Sequence, residues 1–150
     1  MDRESKEILN LIQNEFPLDD RPFLKIANKL NTTEEKVIDT INKLKNKGYV
    51  RRIGGIFDSK KLGYCSLLCA IKVPDERISE VAKLISDYKG VTHNYGRNND
   101  YNLWFTVTAP SQEDIKNFLK DIKVCTGVDE ILELPAIDVF KIKAVFTLKE

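Results

Sequence analysis

The residues best suited to chemistry lie close together, in the stretch VTHNYGRNNDYNLWFTV at residues 91–107. This stretch contains the only histidine of the chain, His93, and the only tryptophan, Trp104, with Tyr95 and Arg97 between them. An imidazole can ligate iron or move a proton near neutral pH, and a guanidinium can hold a carboxylate through paired hydrogen bonds. These residue types would therefore suit a pocket for a polycarboxylate ligand that carries a metal.

Strand alternation would bring these groups onto one surface. The turn-forming residues RNND divide the stretch into a hairpin with strands at 91–97 and 101–108. Because successive side chains of a strand point to opposite faces, one face of the first strand would carry Val91, His93, Tyr95 and Arg97. One face of the second strand would carry Tyr101, Leu103, Phe105 and Val107. The other face of that strand would carry Asn102, Trp104 and Thr106.

A purely structural role fits the same residues. In that interpretation His93 is a histidine with satisfied hydrogen bonds at a strand edge, the aromatic residues belong to a core or an interface, and Arg97 is a surface charge. Other catalytic patterns do not occur: the sequence has no paired-carboxylate constellation for acid–base catalysis, no convincing Ser-His-Asp arrangement and no glycine loop for phosphate. A single histidine also disfavours a metal site with several histidine ligands.

The composition narrows the function classes. The chain has 150 residues, with 24 Lys and Arg against 23 Asp and Glu, so its formal charge of +1 provides no global field for nucleic acid or an anionic membrane. The charged start MDRESKEILNLIQNEF has no apolar run long enough for a signal peptide or a membrane span, and we expect a cytoplasmic protein. The cysteines lack the spacing of zinc or redox motifs, so we expect buried thiols at Cys65, Cys69 and Cys125.

Three short helices are predicted near the start of the chain. Apolar residues at helical spacing run from 3 to 16, a second helix begins at Pro22, and a third begins with Thr32 or Thr33 as its N-cap. Helices joined this tightly predict a helix-turn-helix domain over residues 1–50. The following segment, 51–63, is rich in strand-forming residues and fits either a wing or a linking strand.

The rest of the chain predicts a ferredoxin-like domain over residues 64–150, with elements in the order β-α-β-β-α-β. The apolar run at 64–73 suits a strand covered on both faces, Ser111 suits the N-cap of a helix, and strand-like residues end the chain after a break at Pro135. We therefore predict an α+β protein, with a winged helix-turn-helix domain before the ferredoxin-like one. Since its own helices cover only one face of such a sheet, we expect a second subunit or domain on the other.

The third helix does not favour the reading of DNA. A recognition helix usually presents Arg, Lys, Asn or Gln at its N-terminal end. Here that end carries Glu34 and Glu35, whose carboxylates repel a polyanion, and the lysines lie at the far end, where they complement the helix dipole. Binding through Arg51 and Arg52 is the one route left, so DNA binding is disfavoured.

Along essentially its whole length the chain resembles the Lrp/AsnC transcription regulators, with a helix-turn-helix, a linking segment that includes KKLGY and a β-α-β-β-α-β domain. Two motifs are more specific. RRIGG at 51–55 and HNYGRNNDYNLWFT at 93–106 are similar to the siroheme decarboxylase subunits of the alternative haem pathway and to their relatives in haem d1 synthesis. Those proteins use the regulator fold as an enzyme.

This resemblance implies a carbon–carbon lyase that removes the carboxylates of two acetate side chains of siroheme, which leaves methyl groups and gives didecarboxysiroheme. It implies no added organic cofactor, because siroheme is bound as the substrate, and haem is a second ligand to consider. It also implies a homologous second decarboxylase subunit as the partner, in a heterodimer or a higher assembly.

The same resemblance assigns roles to residues. His93 would be the axial ligand of the substrate iron or the proton donor, and Tyr95 would support proton transfer or orientation. Three residues would hold tetrapyrrole carboxylates: Arg51, Arg52 and Arg97. Four further residues match the motif and would contribute to substrate binding: Asn94, Tyr101, Asn102 and Trp104.

Two other functions stay open at this point. A ligand-responsive transcription regulator would show salt-dependent, sequence-specific DNA binding that survives His93→Ala. A haem-sensing or haem-carrying module would bind porphyrin through His93 and leave siroheme unchanged. The sequence also leaves open which of the two subunit types this chain is, and whether it forms a homodimer or a heterodimer.

Overall fold

The computed structural model describes residues 1–141 and 144–148. The chain divides into two compact units: the first is Met1–Gly55 together with Lys141–Glu150, and the second is Ile56–Phe140. The domain limits predicted at 50 and 64 lie on either side of this division.

The first unit begins with three helices: α1 (Arg3–Ile12), α2 (Pro22–Lys29) and α3 (Glu34–Asn46). The Asp2 and Thr33 side chains accept hydrogen bonds from main-chain N–H groups in the first turns of α1 and α3, so Thr33 is the N-cap of the third helix. The three helices enclose a small core of Ile8, Ile26, Ala27, Val37 and Ile41. The predicted helical trio is confirmed, although the first helix ends earlier than its apolar pattern.

The main chain of residues 146–148 accepts hydrogen bonds from side chains at the C-terminal end of α1 and donates hydrogen bonds to them. Asn10 donates to the carbonyl of Leu148 and accepts from its N–H, both at 3.0 Å. Gln13 pairs in the same way with Phe146, at 2.7 and 2.9 Å. The side chains of Asn10 and Gln13 therefore hold the main chain of this segment, a contact that the periodicity of the sequence does not predict.

Residues 51–63 do not form the predicted strand. The segment has a turn at 59–63, where the Asp58 carboxylate accepts from the N–H groups of Lys60 and Lys61. The side chains of Ile56 and Phe57 are 88% and 78% exposed. Strand-forming residue types act through packing against neighbours, and this segment has no such packing within the described chain, so the wing or linking strand is wrong for it.

The second unit contains one antiparallel sheet and two long helices. Its strands and helices are β1 (Cys65–Ile71), α4 (Ile78–Ser86), β2 (Val91–Gly96), β3 (Leu103–Ala109), α5 (Gln112–Thr126) and β4 (Ile131–Leu134), with a 3₁₀ turn at Asp75–Arg77. The sheet order is β2-β3-β1-β4. This is the predicted ferredoxin-like α+β pattern, and the hairpin agrees closely with the predicted strands.

Both helices pack on one face of the sheet. The core between them consists mainly of apolar residues from β1, β3 and α5, including Leu67, Ile71, Phe105, Ile115 and Ile122. Ser111 caps α5 as predicted, and the helix ends at Gly127, whose φ of 69° is the left-handed conformation that glycine adopts without strain. At Gly90 a Cβ atom would lie 2.2 Å from the Thr108 carbonyl oxygen, so only glycine fits where β2 begins.

Strand β4 ends at Leu134, just before the predicted break at Pro135. The described residues beyond it form no strand, so the expected strand continuation is wrong for them. Ile142 and Lys143, which the strand-like pattern also included, lie outside the described residues.

Candidate active site

A β-bulge in the β2–β3 hairpin decides which way the candidate residues point. Three pairs define the register: Val91 opposite Val107, His93 opposite Thr106, and Tyr95 opposite Trp104. Two steps along β2 therefore match one step along β3, which leaves Thr92 as the extra residue. Val91 faces the helix-covered core, whereas His93 points away from it. The prediction that Val91 shares the face of His93 is wrong for this reason.

His93, Tyr95 and Arg97 form a row of contacting side chains on the exposed side of the hairpin. The Tyr95 hydroxyl lies 2.9 Å from His93 Nδ1, and the two rings stack with centroids 5.7 Å apart and planes at 17°. The guanidinium carbon of Arg97 lies 5.6 Å from the centre of the Tyr95 ring, within cation–π range. The structure thus brings the imidazole, the phenol and the guanidinium together, as strand alternation predicts.

The hydrogen bond from Tyr95 determines which imidazole nitrogen can serve a ligand. Nδ1 of His93 is engaged with the hydroxyl, whereas Nε2 has no hydrogen bond to any residue that the structure describes. If Nδ1 donates to the phenol oxygen, Nε2 carries a lone pair and can ligate a metal. If the phenol donates to Nδ1, Nε2 carries a proton and can donate it. One hydrogen bond is therefore compatible with both predicted roles of His93.

The row lies on the sheet face that carries neither helix of its unit. This open face also includes Leu68 of β1 and Leu134 of β4, which are 39% and 36% exposed, and Trp104 and Thr106 of β3, which are partly buried. Strand β1 is thus covered by helices on one face only. That a partner covers the second face stays a prediction.

Asn94 lies on the opposite side of the sheet from the row. Its Nδ2 donates to the Ala82 carbonyl at 2.8 Å and to Ser86 Oγ at 3.0 Å, both on α4. Its Oδ1 is buried and has no hydrogen-bond partner within the described residues. Asn94 therefore links β2 to α4, and the geometry favours a structural role over the predicted substrate contact.

The loop between β2 and β3 is held by three of the residues that the resemblance selects. The Asn102 carboxamide accepts from the Val73 N–H at 3.0 Å and donates to the Val73 carbonyl at 2.7 Å. Trp104 Nε1 donates to the Tyr101 carbonyl at 2.7 Å, and the Tyr101 hydroxyl donates to the Glu130 carboxylate. That last hydrogen bond raises the pKa of Tyr101. Sequence reasoning missed Glu130, because a single acidic residue before a strand carries no local signal.

Arg51 and Arg52 belong to the first unit, whereas the row belongs to the second. Both are exposed, and neither forms a hydrogen bond or an ion pair with any residue that the structure describes. Arg97 lies in the second unit and contacts Tyr95 of the row. Carboxylate binding by Arg51 and Arg52 stays a prediction.

The cysteines differ in their surroundings. Cys69 is buried, and burial raises the pKa of its thiol to about 12. Cys65 is partly buried, but Cys125 on α5 is exposed, so the prediction of a buried thiol is wrong there. Within residues 1–141 and 144–148, no three His, Cys, Asp or Glu side chains form a group that could hold a metal ion.

No helix among the described residues combines the length and the apolar character that crossing a bilayer requires.

Comparison with known proteins identifies the family. Residues 61–141 match the AsnC-like ligand binding domain, and residues 5–51 match the siroheme decarboxylase NirDL-like HTH domain. The siroheme decarboxylase alpha subunit of Desulfovibrio desulfuricans is 41% identical over 148 residues, which cover 99% of this chain and 85% of the relative. The alpha subunit of Oleidesulfovibrio alaskensis is 40% identical over 150 residues, which cover 100% of this chain and 91% of the relative.

Solved structures agree with this result. The crystal structure of the siroheme decarboxylase NirDL superposes with a TM-score of 0.69 at 37% identity, over 97% of this chain and 48% of that one, so this chain spans about half of it. Escherichia coli AsnC superposes with a TM-score of 0.79 at 14% identity, over 97% of each chain, which shows the shared fold alone. The chain therefore belongs to the siroheme decarboxylase family, a family of carbon–carbon lyases on the AsnC-like fold.

Proposed function

We propose that this chain is a siroheme decarboxylase subunit that removes the carboxylates of two acetate side chains of siroheme and gives didecarboxysiroheme. The observation that carries the proposal is the row of His93, Tyr95 and Arg97 on the open sheet face, in a chain of this family. A further crystal structure shows NirDL in complex with an iron-uroporphyrin III analogue. Since uroporphyrins carry acetate side chains, that complex supports an iron tetrapyrrole as the substrate here.

The reaction needs a proton donor and a way to hold the substrate. Each decarboxylation breaks the bond between the methylene carbon and the carboxylate carbon, releases carbon dioxide and leaves an electron pair on the methylene. The conjugated macrocycle can accept this pair, and a proton delivered to the carbon completes the methyl group. No oxidant or reductant is required, which fits a site built from an imidazole, a phenol and a guanidinium.

His93 is the residue best placed to act on the tetrapyrrole. Its Nε2 points away from Tyr95, and the stacked phenol ring keeps the imidazole in one orientation. Tyr95 thereby selects between the two roles of His93: it accepts from Nδ1 when Nε2 ligates iron, and it donates to Nδ1 when Nε2 donates a proton.

Arg97 is the residue best placed to hold a carboxylate. Its guanidinium stacks on Tyr95, so its N–H edges stay available for paired hydrogen bonds with a substrate carboxylate. Arg51 and Arg52 would hold further carboxylates from the first unit. Fixing the non-reacting carboxylates would orient the reacting one. Trp104 would provide an apolar ring surface, because its N–H is already used by the Tyr101 carbonyl.

A homologous second subunit would complete the site. The relatives are named as alpha subunits, which implies a partner in those proteins. In this chain the open sheet face combines exposed aliphatic residues with the row, and a partner placed there would enclose the tetrapyrrole and exclude water.

An anaerobic absorbance titration with siroheme tests the proposal. The wild-type protein should give a saturable spectral change, and His93→Ala should weaken or alter it, whereas Lys116→Ala on the helix-covered side of the unit should behave as wild type. Incubation with the homologous partner subunit should then yield product that lacks two carboxylates, as measured by mass spectrometry. Absence of any spectral change in the wild-type protein with its partner would refute the proposal.

The same experiment separates the other functions. Siroheme that binds through His93 and stays intact in the presence of the partner would indicate a haem-binding module. Specific DNA binding that survives His93→Ala would indicate a regulator. The acidic start of α3, where Glu34 and Glu35 occupy the first turn, opposes that outcome.

A further inference from the structure

We infer that Asn102 is a positioning residue that fixes the row of His93, Tyr95 and Arg97, and that it does not contact the substrate. The geometric part of this inference stands on hydrogen bonds within the chain, and its catalytic part rests on the proposed function. Both polar atoms of the Asn102 carboxamide are engaged: Oδ1 accepts from the Val73 N–H, and Nδ2 donates to the Val73 carbonyl and, at 3.3 Å, to Asp75 Oδ1.

Asn102 is anchored at Val73. Val73 lies just beyond the end of β1, is 2% exposed and belongs to the core under the helices. Its N–H and carbonyl are both bound by one side chain from the β2–β3 loop, 29 residues along the chain. Asn102 therefore joins the loop to the core of the unit, where close packing limits movement.

Asn102 is also hydrogen-bonded to the main chain of Arg97. The Asn102 carbonyl accepts from the Arg97 N–H at 2.7 Å, which closes the loop at the point where the chain leaves β2. A side-chain amide that fixes Asn102 thus also fixes the main chain of Arg97. The direction in which the guanidinium leaves the backbone depends on this hydrogen bond.

Arg97 is connected to the His93 imidazole through Tyr95. The guanidinium covers the Tyr95 ring, and the Tyr95 hydroxyl holds Nδ1 of His93. A shift of Arg97 would therefore change the position of the phenol and, through it, the orientation of Nε2. Displacement of a catalytic group by about 1 Å can reduce a rate on the order of 100-fold, so an anchor outside the row can matter for turnover.

The chemistry of the anchor requires an amide. An aspartate at position 102 could accept from the Val73 N–H, but it has no donor for the Val73 carbonyl and would repel the Asp75 carboxylate. Asn102→Asp should therefore disturb the row as Asn102→Ala does. Asn98 is exposed in the same loop, and Asn98→Ala provides the matched control.

The first test uses the single histidine as a reporter and does not depend on siroheme. In the full-length ¹⁵N-labelled protein, long-range ¹H–¹⁵N spectra show only one imidazole, that of His93. We expect Asn102→Ala and Asn102→Asp to shift its Nδ1 and Nε2 resonances in the direction produced by Tyr95→Phe, and Asn98→Ala to leave them at the wild-type positions. Unchanged His93 resonances in a folded Asn102→Ala protein would overturn the inference, whether or not the protein is a decarboxylase.

The second test measures turnover of siroheme with the partner subunit present. We expect Asn102→Ala to lower kcat on the order of 10- to 100-fold. In the Arg97→Ala background the same change should have little further effect, because the two residues act through one path. Fully additive effects would overturn the catalytic part. If the wild-type protein does not turn over siroheme, the proposed function fails, and the NMR result still decides the geometric part.

Discussion

The two faces of the second unit's sheet are built from alternate residues of the same strands, yet they differ sharply in character. The helix-covered face carries Leu103, Phe105 and Val107 of β3, each at most 1% exposed. On the other face, β2 and β3 carry His93 and Tyr95 beside Trp104 and Thr106, and these side chains are exposed or partly buried. One hairpin thus contributes one set of residues to the core and leaves the other set open for the proposed chemistry.

Asn94 shows what the covered face demands of a polar residue. Its amide nitrogen donates to two oxygen atoms of α4, and its Oδ1, which has no partner among the described residues, is buried. On the open face, by contrast, the His93 side chain is exposed, and its Nε2 is accessible to a ligand. A side chain of this hairpin is therefore available to a ligand only if it points away from the helices.

The largest expected effect separates chemistry from stability at His93. His93→Ala should reduce siroheme turnover by about 10²- to 10⁴-fold, because it removes the imidazole that would ligate the iron or donate the proton. Since the side chain is exposed, the protein's free energy of unfolding should change by less than about 0.5 kcal/mol. Steady-state kinetics with the partner subunit and chemical denaturation would measure the two quantities. Loss of several kcal/mol of stability would contradict the division between the faces.

The opposite result, a large loss of stability, is expected on the covered face of the neighbouring strand β3. Phe105→Ala should lower the free energy of unfolding by about 3–5 kcal/mol, because it leaves a cavity where a fully buried ring packs against Phe118. Urea denaturation measures this loss. Thr106→Ala, the next residue on the open face, is the control and should cost clearly less. Equal losses from the two substitutions would show that the open face is also part of a core.

A smaller effect on stability is expected from the buried Cys69 thiol at alkaline pH. Burial raises the pKa of Cys69 from 9.0 to about 12, so the folded state keeps the proton that the unfolded state releases. This contribution to stability should be complete below pH 9 and should decline as the pH rises toward 12. Denaturation at several pH values would show the decline, and Cys69→Ala should reduce it.

Reaction with a thiol reagent checks the same contrast in the folded protein. Cys125 should react rapidly, because it is exposed, and Cys69 should react only upon unfolding. Rapid labelling of Cys69 in the native protein would contradict the burial of the covered face.

The smallest effect is expected at Tyr101. Its hydrogen bond to Glu130 raises its pKa above 10.0, so this contact stabilises the fold below that pH and is lost as the pH rises through the folded-state pKa. Tyr101→Phe should therefore slightly lower the melting temperature near neutral pH and make its alkaline decline shallower. An unchanged alkaline decline would show that the pair contributes nothing measurable.

Much of the second unit follows from the sequence, because its signals are local. The turn residues RNND and the alternating pattern on either side predict the hairpin, and Ser111 predicts the start of α5. The grouping of His93, Tyr95 and Arg97 follows from the same alternation. In each case the determining residues lie within a few positions of the feature.

The failures involve contacts between residues far apart in the chain. The apolar residues Ile56 and Phe57 predict a strand, but no neighbouring strand pairs with them in the described chain. Asn102 is selected by the motif, but the motif does not predict that its amide binds Val73, a partner that only the tertiary fold brings near. The local composition of the sequence indicates neither outcome.

The bulge at Thr92 has a consequence beyond the local register. In a regular strand every second residue after Val91 would share its face of the sheet. The His93 imidazole would then be directed into the apolar core beside α4. One additional residue shifts the phase of the strand, so that a core valine and a solvent-facing histidine stand two positions apart. Deletion of Thr92 would thus give a regular ladder in which Val91 and His93 keep their opposite faces, so the bulge, rather than the number of residues between Gly90 and His93, sets the direction of the histidine.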